Sequence, residues 1–135
     1  MSMEQVKALM KAVGWGVMAT TDGETVGVRP MGGWAWFGKE LWCATMKSSD
    51  KVLQLSKVPH AEYCFGTQEG RHVRISGPCT VSTDNVEKKK LYDAVPVLRE
   101  HIQDPASLEY VVIKMKVERV RLMNSPFMEY TAVEL

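Results

Sequence analysis

Four polar residues in the first half of the chain have the types and the spacing that could bind an anion. Arg29 stands close to two consecutive glycines, Thr45 ends a predicted strand, and Ser49 and Lys51 fall at the start of a predicted helix. A helix N-terminus offers unpaired N–H groups and partial positive charge to a phosphate, and hydroxyl, ammonium and guanidinium groups would complete such a site. Alternatively, Ser49 only caps the helix, Lys51 is solvated and Arg29 pairs with a surface carboxylate. The spacing alone leaves both interpretations open.

The stretch VRPMGGWAW, residues 28–36, interrupts an otherwise regular pattern of strands. Pro30 and the pair Gly32-Gly33 make either a plain turn or a place where backbone approaches a flat ligand closely. Trp34 and Trp36 share one strand face because they are two residues apart. Packing in the core or at an interface is the default prediction for them, and stacking on an aromatic ligand is the alternative.

No other residues form a recognisable catalytic or metal-binding pattern. The three histidines lie in ordinary contexts, at His60, His72 and His101. The chain has no phosphate-loop motif and no GxGxxG motif after a strand. The three cysteines are far apart and form no pair at metal-ligand spacing; they are Cys43, Cys64 and Cys79. We therefore predict no metal site, free buried thiols and no identifiable catalytic residue.

Composition is typical of one globular domain spanning residues 1–135, with 45% hydrophobic and 24% charged residues. Lys and Arg number 17 against 16 Asp and Glu. This balance argues against a nucleic-acid-binding protein, which needs a basic excess on one face. No apolar run approaches the roughly 20 residues that span a bilayer, and the N-terminus lacks a signal-peptide pattern. We predict a cytoplasmic protein with no membrane partner.

Periodicity and turn residues predict six to eight short strands and two or three helices. Helices are predicted over 3–13, from Ser48 or Ser49 to Pro59, and over 84–93. Strands are predicted over 15–20, 25–31, 34–37, 40–46, 60–65, 71–77, 110–117 and 120–123. The segment with Pro96 and Pro105 is predicted to be loose, and the last dozen residues show no clear pattern. Hairpin turns dominate, so the fold class is mainly β (α+β), an antiparallel barrel with peripheral helices.

Six blocks of sequence together carry a family resemblance over about half of the chain. They are ATTDG at 19–23, VRPMG at 28–32, LWCAT at 41–45, SDKVLQL at 49–55, VPHAEYCF at 58–65 and RHVRISG at 71–77. Their order and spacing resemble the pyridoxamine 5′-phosphate oxidase-like, FMN-binding split-barrel superfamily. The resemblance is closest to its general stress protein 26-like branch.

This resemblance implies a split β-barrel that forms a homodimer, with FMN between the subunits. It implies that Arg29 and Lys51 bind the FMN phosphate, helped by Ser49 and Thr45. It also implies that the backbone lines the flavin ring at Pro30, Met31, Gly32, Ala44 and Thr45.

The chain also departs from the true oxidases of this superfamily. They have a lysine where Trp34 stands, often an arginine where Asp50 stands, and a flavin-contacting glutamine where His72 aligns. They also end in a longer tail with a tryptophan and an Arg-x-His motif. Oxidation of pyridoxamine phosphate is therefore not the predicted activity.

Two classes of function remain at this stage. The first is an FMN-dependent oxidoreductase that passes electrons or hydride to a small acceptor, because the flavin itself supplies that chemistry. The second is a non-catalytic flavin-binding protein, acting as an FMN store, an electron carrier or a stress-linked sensor. Relatives with this fold that use the deazaflavin F420 or bind haem supply alternative cofactors.

Overall fold

The computed structural model of the chain describes residues 2–124 and 129–135. The helices are α1 (Met3–Val13), α2 (Asp50–Lys57), α3 (Asn85–Ala94) and a 3₁₀ helix (Pro96–Glu100). The strands are β1 (Gly16–Thr21), β2 (Val26–Met31), β3 (Trp34–Phe37), β4 (Glu40–Met46), β5 (His60–Gly66), β6 (His72–Ser82), β7 (Tyr110–Lys116), β8 (Arg119–Met123) and β9 (Thr131–Val133).

Helix α1 covers one part of the barrel core. Ser2 and Gln5 form a capping box at its start, and Gly14 ends it with φ 91°. Val6 and Met10 are fully buried, and each such burial contributes about 1.5–3 kcal/mol to folding. The helix therefore docks through the apolar face that its sequence periodicity predicts.

All strand pairs are antiparallel, and the main path of the sheet runs β2-β1-β5-β6-β7-β4-β3. Strand β8 pairs with β6 and β9 beside this path. The two end strands, β2 and β3, are consecutive in the chain and are separated only by Gly32 and Gly33. A sheet whose first and last strands are joined by two residues must curl back on itself. Among the described residues no ladder joins β2 to β3, so the barrel is split at this seam.

Strand β6 links the two halves of the curled sheet. Its first part pairs with β5 and β8, and its last part, from Cys79, pairs with β7. Gly77 lies at the change of partner, where an added Cβ would collide with the Lys116 carbonyl oxygen. Only glycine lets the two backbones approach this closely.

The predicted mainly β architecture, an antiparallel split barrel with peripheral helices, is confirmed. The described residues form nine strands, one more than the predicted maximum of eight, because β9 forms in the tail that shows no clear pattern. Strand β6 runs to Ser82, beyond the predicted end at residue 77, since Gly77-Pro78 bends the strand without ending it. The segment after α3 is not loose at its start, because Pro96 begins a 3₁₀ helix. The stretch NSPFMEYTAVEL falls partly outside the described residues.

No helix within the described ranges is both long and apolar enough to cross a membrane. The three cysteines are free, with Cys43 and Cys79 buried and Cys64 half-buried. Burial raises the pKa of Cys43 to about 11 and that of Cys79 to about 12. These thiols are therefore protonated at neutral pH and behave as core side chains.

Candidate functional site

An open groove of about 350 Å³ lies at the barrel seam. One wall is the end of β2 and the glycine pair, and a second wall is the end of β4. The 3₁₀ helix and the residues after it form a third wall. The lining residues are Pro30, Met31, Gly32, Gly33, Ala44, Thr45, Met46, Val97, Leu98, His101 and Ile102.

The two glycines at the break have different roles. Gly33 has φ 54°, and an added Cβ there would lie 2.9 Å from Cδ2 of Leu98. Its carbonyl accepts a hydrogen bond of 3.0 Å from the Ala44 N–H. Gly32 is different, because a Cβ there would meet no protein atom within 4 Å. Gly33 therefore makes the turn and admits the 3₁₀ helix, while Gly32 faces open space where a ligand has room to approach the backbone.

Lys51 adjoins one end of the groove through Thr45. The Lys51 ammonium donates a hydrogen bond of 2.7 Å to Thr45 Oγ1, and Thr45 itself lines the groove. Burial, and then the nearby positive charge of Arg29, lower the pKa of Lys51. Lys51 is thus not simply solvated, because its charge is held beside another cation.

Arg29 is fixed by neutral partners. Its guanidinium donates to Thr20 Oγ1 at 2.6 Å and to Gln54 Oε1 at 3.4 Å. Burial lowers its pKa, and Asp50 acts in the opposite sense. Within the described residues Arg29 makes no ion pair. The alternative in which it pairs with a surface carboxylate is therefore wrong for this structure.

Ser49 occupies the N-cap position of α2, but its side chain does not cap the helix. Its hydroxyl donates to the Met46 carbonyl at 2.7 Å and lies 3.4 Å from Thr45 Oγ1. The first N–H groups of the helix consequently donate no hydrogen bond to a capping side chain.

Three residues that the sequence left ambiguous lie outside the groove lining. Trp34 donates from Nε1 to the Gly14 carbonyl at 3.0 Å and packs edge-on against Phe65. Trp36 lies under the Lys7 ammonium, 5.0 Å from the ring centre. The ring nitrogens of His72 lie 2.8 Å from the Gly70 carbonyl and 2.7 Å from the Tyr130 hydroxyl. Within this chain these side chains have structural contacts, which agrees with the default prediction for the tryptophans.

The eight predicted cofactor-binding residues fall into two adjoining groups. Five line the groove: Pro30, Met31, Gly32, Ala44 and Thr45. The remaining three are Arg29, Ser49 and Lys51. Ser49 and Lys51 are linked to the groove through Thr45, and Arg29 lies close enough to Lys51 to lower its pKa. The arrangement suits a molecule with an apolar, flat part and an anionic end.

Sequence reasoning missed the residues that hold Arg29 and those that form the third wall. Thr20 is buried on β1, two residues after the buried Met18, so strand alternation was a usable signal. Gln54 follows Lys51 by three residues and therefore shares its helix face. For the third wall, the sequence signals were Pro96 and the spacing of Leu98 and Ile102.

A family model described as "Pyridoxamine 5'-phosphate oxidase like" matches residues 1–126. A search of curated proteins finds no match.

Solved structures similar to this chain share its fold. A NimC/NimA family protein from Clostridium acetobutylicum has a TM-score of 0.82 at 19% identity, covering 97% of this chain and 90% of that chain. General stress protein 26 from Bacillus anthracis has a TM-score of 0.73 at 17% identity, covering 95% and 98%. An F420 reductase has a TM-score of 0.65 at 21% identity, covering 84% and 94%.

Proposed function

We propose that this chain binds FMN in the seam groove and acts as an oxidoreductase. The premise is that the chain belongs to the pyridoxamine 5′-phosphate oxidase-like family. One observation carries the proposal. Arg29 and Lys51 meet at one end of a mostly apolar groove, and neither forms an ion pair within the described part of the chain. Two adjacent cations that form no ion pair repel each other, and the nearby Asp50 carboxylate does not restore the lowered pKa of either one. An anion bound between them would offset this repulsion.

The phosphate of FMN supplies that anion. Lys51 and Arg29 would donate charge-assisted hydrogen bonds to it, and the Ser49 hydroxyl and the first N–H groups of α2 lie at the same end. A phosphate dianion would also oppose the lowering of the Lys51 pKa by burial and by Arg29, because it stabilises the protonated ammonium. Binding and lysine protonation therefore favour each other.

The groove suits the flavin ring in size and lining. Its volume of about 350 Å³ lies within the range of about 300–1,000 Å³ that is usual for ligand pockets. Its walls are largely apolar, with Met31, Ala44 and Leu98 among them. Pro30 has no N–H, so main-chain N–H groups beside the ring come from Met31 or Gly32. Hydrogen bonds at the polar edge of a flavin tune its reduction potential.

Electron or hydride transfer needs no acid or base among the groove residues. FMN supplies the redox chemistry when it is bound, and the chain positions it and limits access of water. The proposed activity is transfer of electrons or hydride to a small acceptor. Trp34 packs away from the groove where the true oxidases have a lysine, which supports an activity other than oxidation of pyridoxamine phosphate.

The functional form we propose is a homodimer, with the groove at the subunit interface. Support comes from two valines that alternate along the edge strand β2 and remain exposed, Val26 at 70% and Val28 at 62%. Exposed apolar side chains beside a ligand site are typical of interfaces. A second copy covering β2 would also cover one side of the groove.

The two alternative cofactors are less well supported by the lining of the groove. F420 carries a long anionic tail, but no lysine or arginine lines the groove in the described part of the chain. Haem requires an axial ligand, and His101 is the lining histidine. A Soret band in the purified protein would favour haem over FMN.

The proposal is tested by titrating the protein with FMN and with riboflavin, which lacks the phosphate. Replacing Arg29 and Lys51 together by Ala should weaken FMN binding about 100-fold or more, since hydrogen bonds to charged groups contribute about 1.5–3 kcal/mol each. Riboflavin binding should change little. Lys47→Ala removes an exposed neighbouring lysine and is the matched control. Equal weakening of both ligands would contradict the phosphate assignment, and no FMN uptake by the wild type would contradict FMN binding.

The non-catalytic alternative is separated by a reduction experiment. Anaerobic NADH or NADPH should bleach the bound flavin of an enzyme at a rate that supports turnover. A flavin store or sensor would bind FMN equally well but would not be reduced by these donors or reoxidised by a small acceptor.

A further inference from the structure

A second cavity adjoins the seam groove. Its volume is about 420 Å³, and it is lined by Met46, His101, Ile102, Gln103, Asp104, Ser107 and Tyr110. Three of these residues, Met46, His101 and Ile102, also line the seam groove. A molecule in the second cavity would therefore lie next to a ligand in the groove.

The second cavity is more polar than the groove and retains unused hydrogen-bonding groups. Ser107 accepts from the Lys88 ammonium through its backbone carbonyl at 2.8 Å, and the Tyr110 hydroxyl donates to the Lys88 carbonyl at 2.7 Å. Within residues 2–124 and 129–135, the side chains of His101 and Gln103 have no hydrogen-bond partner. These groups are available to a polar molecule.

The cavity also differs from the groove in charge. Asp104 contributes a carboxylate to the wall, where its Oδ1 accepts from the Ala106 N–H at 2.9 Å. Lys88 contacts this wall through its hydrogen bond to the Ser107 carbonyl, but Lys88 itself is only 2% exposed. The second cavity thus presents an anion, whereas the charged groups that adjoin the groove through Thr45 and its neighbours are the cations Lys51 and Arg29.

We propose that this second cavity is the acceptor site, and that it selects small, flat molecules that are uncharged or cationic over anionic ones. His101 lies at the boundary of the two cavities and would contact both flavin and acceptor. The Gln103 amide would hydrogen-bond the polar edge of the acceptor. Asp104 is exposed on the cavity wall, and its carboxylate disfavours other carboxylates there because like charges repel. This inference rests on the proposed function, because it places the acceptor beside bound FMN.

Three probes of nearly the same shape test the charge preference: benzamidine is a cation, benzamide is neutral and benzoate is an anion. Each is titrated into FMN-loaded protein, and the shift of the visible flavin absorption gives its dissociation constant. We expect benzamidine and benzamide to bind at least about tenfold more tightly than benzoate, a ratio that corresponds to about 1.4 kcal/mol.

Two variants assign the preference to named side chains. Asp104→Lys should reverse the order so that benzoate binds most tightly, and Asp104→Asn should remove the discrimination without a new charge. Glu69→Lys makes the same change in an exposed turn and should leave the order intact. His101→Ala should weaken benzamide about five- to tenfold, the effect of one lost net hydrogen bond, whereas His60→Ala should not.

The outcomes separate this inference from the proposal on which it rests. If the wild type takes up no FMN, both fail. If FMN binds and benzoate binds as tightly as benzamidine, or if both Asp104 variants keep the wild-type order, the acceptor site alone is overturned. Retained FMN affinity and an unchanged circular dichroism spectrum show that each variant is folded.

Discussion

The position of the Arg29 side chain depends on Gly27, which has no side chain of its own. A Cβ at Gly27 would collide with the end of the Arg29 guanidinium and would lie 3.0 Å from Gln54 Oε1. Thr20 and Gln54 accept hydrogen bonds from the guanidinium and hold it in this position. Gly27 therefore provides the space that Arg29 occupies, and its backbone has no positive φ that would explain a glycine otherwise.

Gly27→Ala should reduce FMN affinity about tenfold, the effect of losing about 1.5 kcal/mol from a hydrogen bond to a charged group. The free energy of unfolding should change little, because the obstructing atoms belong to a flexible side chain. Riboflavin affinity should be retained. Titration with both ligands and thermal unfolding measure these effects.

Gly32→Ala is the matched comparison at the ring end of the groove. Its Cβ meets no protein atom but enters the open space, so FMN and riboflavin should be weakened alike. If Gly27→Ala also weakened both ligands alike, Gly27 would not be acting through the phosphate end.

At this scale the sequence predicted the residues that face the ligand better than those that support them. For Arg29, Ser49 and Lys51, the residue type alone indicates that the side chain can bind an anion. The need for glycine at position 27 arises from where the Arg29 side chain lies, which depends on the pairing of β1 with β2 and on the docking of α2. No local pattern contains that information.

Strands β5, β6 and β8 are joined by a charged cluster on the outer face of the sheet. Glu62 accepts two hydrogen bonds of 2.8 Å from Arg74 and a further one of 3.1 Å from Arg121. The hydrogen bonds from Arg74 lower the pKa of Glu62 most, burial opposes them, and Arg121 lowers the pKa further by a smaller amount. The cluster connects three strands through one carboxylate.

The lowered pKa sets the pH range in which this cluster stabilises the fold. Because the folded-state pKa lies below the unfolded value of about 4.3, the stabilisation is present above that value. It is lost as pH falls through the folded-state pKa. Glu62→Gln should therefore lower the thermal unfolding midpoint at neutral pH. The difference in midpoint between variant and wild type should disappear at acidic pH.

Glu69→Gln, in the exposed turn between β5 and β6, is the control and should leave the midpoint unchanged at neutral pH. Thermal unfolding from neutral pH down to acid measures both variants. A Glu62→Gln deficit of the same size at every pH would indicate a packing effect instead of a charge effect.

Elements with strong local patterns were predicted well, and those stabilised by tertiary contacts were not. Helix α1 has apolar residues at helical spacing and a glycine stop, and its predicted bounds agree with the structure. Strand β9 has three residues, of which Val133 is buried. It forms because β8 provides a partner, and a segment of this length carries too little periodicity to be recognised.

For the whole molecule, we predict a homodimer that elutes at about twice the chain mass of 15.2 kDa. Val28→Glu places a charge on the exposed face of β2, and it should shift the protein to a monomer and weaken FMN binding. Val86→Glu makes the same change at a valine of α3 that is 77% exposed, and it should leave the dimer intact. Size exclusion with light scattering measures the mass, and a monomeric wild type would contradict an interfacial site.

The seam also makes the barrel mechanically uneven. Around most of its circumference, widening would break ladder hydrogen bonds, whereas across the seam it requires rotation at Gly32 and Gly33 and adjustment of the Ala44–Gly33 hydrogen bond. The barrel is therefore stiff where strands are paired and more easily deformed across the seam. We expect the seam groove to bind ligands of different thickness without a change in core packing.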